Sequence, residues 1–162
     1  MQSFVDWVAS TRVSWFMNDH VWVWPATQIL HFFGMSLLIG TIVLLDLRML
    51  GMAKKLPLLS LHQLVPWGVL GFAINLITGI LFFAGNPYRY VHNISFVLKL
   101  LFIFLAGINV LVFYLNVFRD TESVGSGDDA PMSAKIIAAI SLFLWVGIMG
   151  LGRMITFMDD TF

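Results

Sequence analysis

The chain has 162 residues, of which 59% are hydrophobic and 11% charged, and its nine Lys and Arg side chains balance its nine Asp and Glu side chains. Soluble domains carry about 25% charged residues, so this composition indicates an integral membrane protein. Balanced charge argues against a nucleic-acid partner, which would need clustered Lys and Arg. The absence of cysteine excludes disulfides, thiolate metal sites and thiol catalysis.

The N-terminal segment predicts a helix that lies in the headgroup region of a bilayer. Between Ser3 and Met17, aromatic and aliphatic side chains are interspersed with polar ones, and Trp7 and Trp15 are among them. Tryptophan is enriched at membrane interfaces, and an amphipathic helix with this composition is typical of an interfacial anchor.

Four apolar runs then predict membrane-spanning helices, at about 21–45, 64–84, 94–118 and 134–158. A helix needs about 20 apolar residues to cross a hydrocarbon layer, and each run reaches that length. None of them shows the alternating pattern of a barrel strand. We therefore expect an all-α integral membrane protein with one domain over residues 1–162, made of a four-helix transmembrane bundle and the N-terminal interfacial helix.

Basic residues outside the spans predict the orientation of the bundle. The first and third connections have Arg48, Lys54, Lys55, Arg119 and Lys135, against Arg12 and Arg89 on the other side. The positive-inside rule then places both termini outside a bacterial-type inner membrane. The third connection, 120–129, is acidic and rich in glycine and serine, which is typical of a flexible link.

Ionisable side chains inside the spans are the candidate functional residues, because facing them to lipid costs a few kcal/mol. His31, Lys99 and Arg153 lie on three different spans, and all three fall in the same outer half of the membrane. His92 lies at the mouth of the third span, seven residues before Lys99 and on the same helical face. By contrast, His62 is predicted to be a surface residue on the cytoplasmic side.

This set matches what a haem requires, namely an axial imidazole, an apolar slot and cations for its propionates. His31 is the predicted ligand, and Gly34 on the same face is predicted to leave room beside it. Lys99, Arg153 or His92 would hold propionates.

The spacing alone leaves other readings open. His31 is also suited to a proton relay or an interhelical hydrogen bond. Lys99 is close enough to the boundary to extend its ammonium group to the interface. A second axial ligand could come from His92, His20 or Lys99, or the position could stay open.

Two segments also carry a family resemblance. The run His31-Phe-Phe-Gly-Met-Ser-Leu-Leu-Ile-Gly40, followed by Leu45-Asp-Leu-Arg48, resembles the first conserved helix of HemJ-type protoporphyrinogen oxidases and CopD-like membrane proteins. The run Ser95-Phe-Val-Leu-Lys99, which continues to Asn109, resembles their lysine-bearing helix. The resemblance covers the first and third spans, roughly a third of the chain.

The resemblance implies a b-type haem near His31, with Lys99 as a second, catalytic position, since a His and a Lys in these places are essential in HemJ-type enzymes. This chain departs from those enzymes in its N-terminal helix. It also has Gly34-Met-Ser-Leu in place of their aromatic signature, which puts the specific oxidase activity in question more than the haem.

Together these observations predict a membrane b-type haem redox protein. It would transfer electrons between a quinol or porphyrinogen substrate and a redox partner protein, and its many glycines would also allow self-association as a homo-oligomer. The alternative is a non-catalytic membrane component, either a copper or small-solute transport element or a structural subunit of a larger complex. The nine methionines form no tight cluster, which copper(I) would need.

Overall fold

The computed structural model describes residues 2–158, and all regular secondary structure within that range is helical. Four of its helical stretches are long and apolar enough to cross a membrane, which confirms the predicted fold class. In chain order the helices are α1 (Gln2–Ala9), α2 (Arg12–Asp19), α3 (Val23–Met49), α4 (Leu58–His62), α5 (Val65–Gly85), α6 (Pro87–Val91), α7 (Ile94–Val112), a π-helical turn (Phe113–Val117), α8 (Phe118–Glu122) and α9 (Met132–Met154).

The N-terminal segment forms two short helices, α1 and α2, instead of the one helix that the sequence predicts. The break occurs where the side chains of Ser10 and Thr11 donate hydrogen bonds back to the carbonyls of Trp7 and Val8, at 2.8 and 2.7 Å. Thr11 then caps α2, because its hydroxyl oxygen accepts a hydrogen bond from the Ser14 N–H. Hydroxyl side chains that bond to nearby backbone in this way compete with helix continuation.

The first spanning helix ends at Met49, one turn later than predicted. Gly51 stops it, with a φ of +96° that side-chain-bearing residues rarely adopt. The N–H groups of Gly51 and Met52 donate to the carbonyls of Arg48 and Leu47, which is the hydrogen-bond pattern of a Schellman cap. The helix therefore includes both Asp46 and Arg48.

The other three spans also differ from their predicted bounds. The second begins with the short α4 before α5, and the third continues through the π-helical turn into α8 as far as Glu122. The fourth helix, α9, ends at Met154 rather than 158, and residues 155–157 form a turn.

Helices α3 and α5 pack as the tightest antiparallel pair. A Cβ atom built on Gly71 of α5 would lie 2.5 Å from the Gly34 carbonyl oxygen and 2.7 Å from the Leu38 nitrogen of α3. Only the absence of a side chain at Gly71 permits this approach of the two backbones. Small residues have the same role in many membrane helix pairs, where packing and not water drives association.

Helices α7 and α9 form the second antiparallel pair, and α3 joins the two pairs by packing on α9. Gly147 of α9 receives the ring of Phe102 from α7, and Leu38 of α3 shares a buried cluster with Trp145 of α9. The backbones of α5 and α7, in contrast, stay apart, although the rings of Phe83 and Phe96 stack between them with centroids 5.9 Å apart. One end of the bundle, which we call the His31 end, therefore has the first residues of α3 and α7 and the last residues of α5 and α9. The opposite end we call the Arg48 end.

Arg48 ties the first and third connections together at its end of the bundle. Its side chain is 0% exposed. Its Nε donates a 2.6 Å hydrogen bond to the Leu56 carbonyl, and its Nη2 donates to the carbonyls of Gly125 and Asp128 at 2.9 and 3.2 Å. The third connection is thus held by a buried cation, and its prediction as a flexible link is wrong.

A second tie joins the same connections at the surface. Lys54 lies 2.9 Å from an Asp129 carboxylate oxygen, and Lys135 lies 3.4 Å from it. The hydrogen bond from Lys54 lowers the pKa of Asp129 below its ordinary value. All three side chains are at least partly exposed, and solvent and salt screen exposed ion pairs of this kind, so they add little stability. The buried Arg48 is therefore the stronger tie.

Replacing Gly71 by Ala should lower the free energy of unfolding by about 1–3 kcal/mol, because the new methyl group overpacks against α3 backbone that cannot rotate away. Gly79→Ala is the matched control on the same helix, since a Cβ there meets nothing within 4 Å. Unfolding in mild detergent measures both variants. Equal stability of the two would contradict the close approach.

Replacing Arg48 by Met should make the third connection more mobile. The carbonyl groups of Gly125 and Asp128 then lose charged hydrogen bonds worth about 1.5–3 kcal/mol each. We expect faster proteolytic cleavage and faster amide hydrogen exchange within residues 120–130. Lys54→Met removes only an exposed ion pair and should leave both rates near those of the unmodified protein. A protected connection in the Arg48 variant would show that other contacts hold it.

Candidate functional site

His31 lies on α3, eight residues after Val23, which is about 12 Å along the helix axis. Its half-buried ring faces α5. The Nδ1 atom is 2.6 Å from the hydroxyl oxygen of Thr78, and the ring of Phe82 meets the imidazole edge-on with 5.5 Å between centroids. Two side chains of α5, one turn apart, therefore hold the ring.

The hydrogen bonds of Thr78 determine which nitrogen of His31 bears the proton. Thr78 is 0% exposed, and its hydroxyl group donates to the Ile74 carbonyl at 2.7 Å. When that proton lies on the Ile74 carbonyl, the hydroxyl accepts at the imidazole, and Nδ1 is then the protonated nitrogen of His31. The Nε2 atom then has its lone pair free, and no residue within 2–158 forms a hydrogen bond to it. Histidines that ligate metals are oriented by such a bond at the other ring nitrogen.

The close approach of the α3 and α5 backbones places His31 opposite Thr78. A Cβ built on Gly34 would lie 2.7 Å from Ile74 Cγ2 and 2.9 Å from the Asn75 side chain. The space beside His31 on this face is thus filled by α5, and the prediction that Gly34 leaves room for a cofactor is wrong. The backbone of α7 approaches neither α3 nor α5 as closely as α3 and α5 approach each other.

Lys99 is the ionisable residue of α7. Its half-buried side chain extends from α7 along Gly152 of α9, where a Cβ would be 3.3 Å from Nζ, and its charge acts on the His31 ring. Among residues 2–158, no carboxylate forms a salt bridge with Lys99 and no hydrogen bond reaches its ammonium group. One imidazole held by α5 and one lysine without a carboxylate partner among residues 2–158 thus lie at the same end of the bundle.

Arg153 and His92 lie at the same end of the bundle but outside this pair. Arg153 is exposed, and its guanidinium carbon lies 5.4 Å from the centre of the Phe157 ring. His92 is exposed after α6, with Nδ1 3.0 Å from the Tyr88 carbonyl oxygen, in a groove that α1 also lines. Neither contacts His31.

The remaining two histidines belong to aromatic clusters. His20 packs among Trp15, Phe16 and Trp22 beside the N-terminal helices. His62 was expected at the surface, and that prediction is wrong. Its ring is half-buried, stacks on Phe113 and meets other aromatic side chains edge-on, because α4 packs against α8 and the π-helical turn at the Arg48 end.

Arg48, which the sequence analysis assigned to the first connection, and its neighbour Asp46 are buried within α3. Asp46 is 4% exposed and Arg48 is 0% exposed. The carboxyl group of Asp46 lies beside the Ser141 hydroxyl of α9, and its Oδ2 atom is enclosed with no hydrogen-bond partner among residues 2–158. The sequence does indicate that the helix continues through both residues, because no Gly or Pro occurs between Leu45 and Gly51.

Within the described part of the chain, no three His, Cys, Asp or Glu side chains come together as a metal cluster. A haem carries its own porphyrin nitrogens, so one imidazole is sufficient to hold its iron. Comparison with protein-family models, with curated proteins and with solved structures finds no match to this chain. The chemistry of the site therefore has to be argued from its own residues.

The Thr78→Val variant tests the orientation of the imidazole. In the unmodified, haem-free protein, nitrogen-15 NMR should show His31 protonated at Nδ1, with Nε2 as the acceptor nitrogen. Valine removes the acceptor at the same volume, so the Nε2–H tautomer should become populated. Thr41→Val is the matched control, because the Thr41 hydroxyl lies 3.5 Å from its acceptor and away from His31. An unchanged tautomer in the Thr78 variant would contradict the assignment.

Proposed function

We propose that this protein is a membrane b-type haem redox protein in which His31 is an axial ligand. The observation that carries the proposal is the 2.6 Å hydrogen bond between Thr78 and Nδ1, which leaves the Nε2 lone pair of a half-buried intramembrane histidine free. A proton-relay histidine needs no fixed tautomer, whereas a ligand histidine does. The resemblance to HemJ-type and CopD-like proteins points the same way.

We place such a group on the side of His31 that faces away from α5. The ring of His31 is held on its α5 side by Thr78 and Phe82, so Nε2 is the nitrogen left for an iron. Lys99 is close enough to act electrostatically on the imidazole and is suited to pair with a propionate. When bound, haem would supply one-electron transfer at a potential tuned by burial and nearby charge.

Each residue has a distinct role in this proposal. His31 holds the iron, and Thr78 positions His31. Lys99 pairs with a carboxylate, either of a propionate or of an anionic substrate such as a porphyrinogen, and is the proposed catalytic position. Arg153 and His92, at the mouth of the same end, would attract carboxylates by long-range electrostatics. Electrons would pass between a membrane substrate, quinol or porphyrinogen, and a redox partner protein.

The proposal extends to the cellular setting. The basic residues at the Arg48 end favour the cytoplasmic side for that end, in a bacterial-type inner membrane with both termini outside. The His31 end, with its haem, would then lie toward the outer surface. Gly40 and Gly150 face open space on the bundle exterior and are suited to close contact in a homo-oligomer.

Absorbance spectra test the ligand directly. Protein purified in mild detergent and supplied with haem should show a Soret band and, after dithionite, the sharp bands of a b-type haem. His31→Ala should lose these bands. His62→Ala is the matched control, since it removes the other half-buried intramembrane imidazole, and it should keep them.

Three outcomes would overturn the proposal. A preparation that neither contains haem nor takes it up would favour the non-catalytic alternative. Haem loss in the His62 variant alone would move the ligand to the Arg48 end. Haem retained in both variants would exclude each imidazole as an essential ligand.

A further inference from the structure

Large aromatic side chains are exposed on α1, on α2 and just before α3, at the His31 end of the bundle. On α1, the rings of Phe4 and Trp7 lie with centroids 6.0 Å apart. Beside α2, the rings of Phe16 and Trp22 meet edge-on with 6.2 Å between centroids, and Trp15 is exposed as well. We call these five residues the aromatic surface. Exposed apolar groups clustered in this way indicate an interaction surface.

One side of α1 is docked on the bundle. Val5 and Val8 are buried there, and they lie about 60° apart around the helix. The Tyr88 hydroxyl group donates a 2.5 Å hydrogen bond to the Asp6 carboxylate. Tyr88 lies three residues after Gly85, the last residue of α5. The first helix is therefore held beside the end of the second span.

The aromatic side of α1 is separate from its polar side. At 3.6 residues per turn, Phe4 and Trp7 point about 100° away from the buried valines and about 150° away from Gln2 and Asp6. Gln2 and Asp6 line a groove of about 350 Å³ between α1 and α6. A helix with one docked, one polar and one aromatic side is suited to a boundary between water and an apolar phase.

The position of α2 is fixed at the ends of two spans. The Asn18 side chain donates a 2.8 Å hydrogen bond to the carbonyl of Gly85, the last residue of α5. Met17 is buried against the same glycine, where a Cβ would lie 3.3 Å from the Met17 Cβ. Trp22, on which the Phe16 ring packs, directly precedes α3. The second helix therefore lies where the first span begins and the second ends.

Lipid headgroups are the occupant that fits this position. The exteriors of α3 and α5 lie against hydrocarbon in a bilayer, and the aromatic surface continues these exteriors past the ends of the two spans. Tryptophan combines a large apolar body with an N–H at one edge, and it is enriched where hydrocarbon meets the headgroups. Exposed tryptophans also occur in protein interfaces, so the test has to distinguish lipid from a protein occupant.

The charges of α1 and α2 do not favour anionic lipid. The two helices contain Asp6, Asp19 and Arg12, so they have no excess of basic side chains. Electrostatic binding to anionic membranes uses clusters of about four to eight Lys and Arg residues. Contact with lipid therefore depends here on the burial of apolar and aromatic area.

We propose that α1 and α2 form a docked interfacial element, with the aromatic surface in the headgroup layer of the adjacent leaflet and with no requirement for anionic lipid. The sequence predicts an interfacial helix, and the structure assigns which side of α1 meets lipid, which meets water and which is fixed to the spans. This contact is independent of the proposed haem site.

Site-directed spin labelling measures the depth of each side. The chain has no cysteine, so a single introduced cysteine takes a nitroxide label without background. Phe4→Cys reports the aromatic side of α1, and Gln2→Cys is the matched control on its polar side. Ile77→Cys, exposed on α5, calibrates hydrocarbon, and Ser123→Cys, exposed in the third connection, calibrates water.

The full chain is reconstituted in phosphatidylcholine vesicles. Electron paramagnetic resonance then measures how often each label collides with oxygen, which concentrates in hydrocarbon, and with a neutral nickel chelate, which stays in water and is present on both sides. The ratio of the two collision rates reports depth.

The ratio of oxygen to nickel collisions should be several-fold higher at Phe4 than at Gln2, whose value should resemble that of Ser123. Phe16→Cys should follow Phe4, and Trp7→Cys replaces Phe4→Cys if that variant fails to fold. Equal ratios at Phe4 and Gln2 would overturn the proposal. A Phe4 label shielded from both reagents would show that protein covers this surface, which would overturn it too.

Two further arms test the role of charge and the independence from haem. Adding phosphatidylglycerol to the vesicles should leave the Phe4 ratio unchanged, whereas lipid contact seen only with this anionic lipid would contradict an apolar attachment. The Phe4 label in a His31→Ala background should also keep its ratio, whatever the haem content. Loss of lipid contact in that variant, with the protein folded, would contradict the independence of the two sites.

Discussion

The close approach of α3 and α5 is the constraint on which the rest of the structure depends. Gly71 places its backbone against that of Gly34 and Leu38, with no room for a methyl group between them. This contact sets the register of the two antiparallel helices, so that Thr78 lies opposite His31. With α5 packed on α3, α7 packs mainly on α9, and a gap between the backbones of α5 and α7 follows.

The two ends of the bundle use polar groups in different ways. At the His31 end, a buried hydroxyl group with both of its hydrogen-bonding roles assigned orients one imidazole. At the Arg48 end, a wholly buried guanidinium group ties two connections through their carbonyl groups, and one oxygen of the neighbouring Asp46 carboxylate has no hydrogen-bond partner among residues 2–158. At the His31 end a hydrogen bond orients a side chain, whereas at the Arg48 end hydrogen bonds from a buried guanidinium group hold two connections together.

Much of the chain could be predicted, and the errors have local physical causes. The four spans follow from apolar length, and His31 was identified from its cost in lipid. The amphipathic pattern does not reveal the break at Ser10 and Thr11, because the break depends on their hydroxyl groups, which bond to the backbone. His62 was misplaced because its burial depends on α4 folding back against α8, a contact between residues distant in sequence.

The amino-acid sequence by itself determined that the protein is helical, crosses a membrane four times and has few ionisable groups at depth. Those properties depend on composition and on runs of adjacent residues. Only the tertiary structure decided that Gly34 receives α5 and not a cofactor, that Lys99 lies near His31, and that Asp46 and His62 line one cleft. Each of these depends on which helix faces come together, and apolar runs with little amphipathic contrast do not specify that.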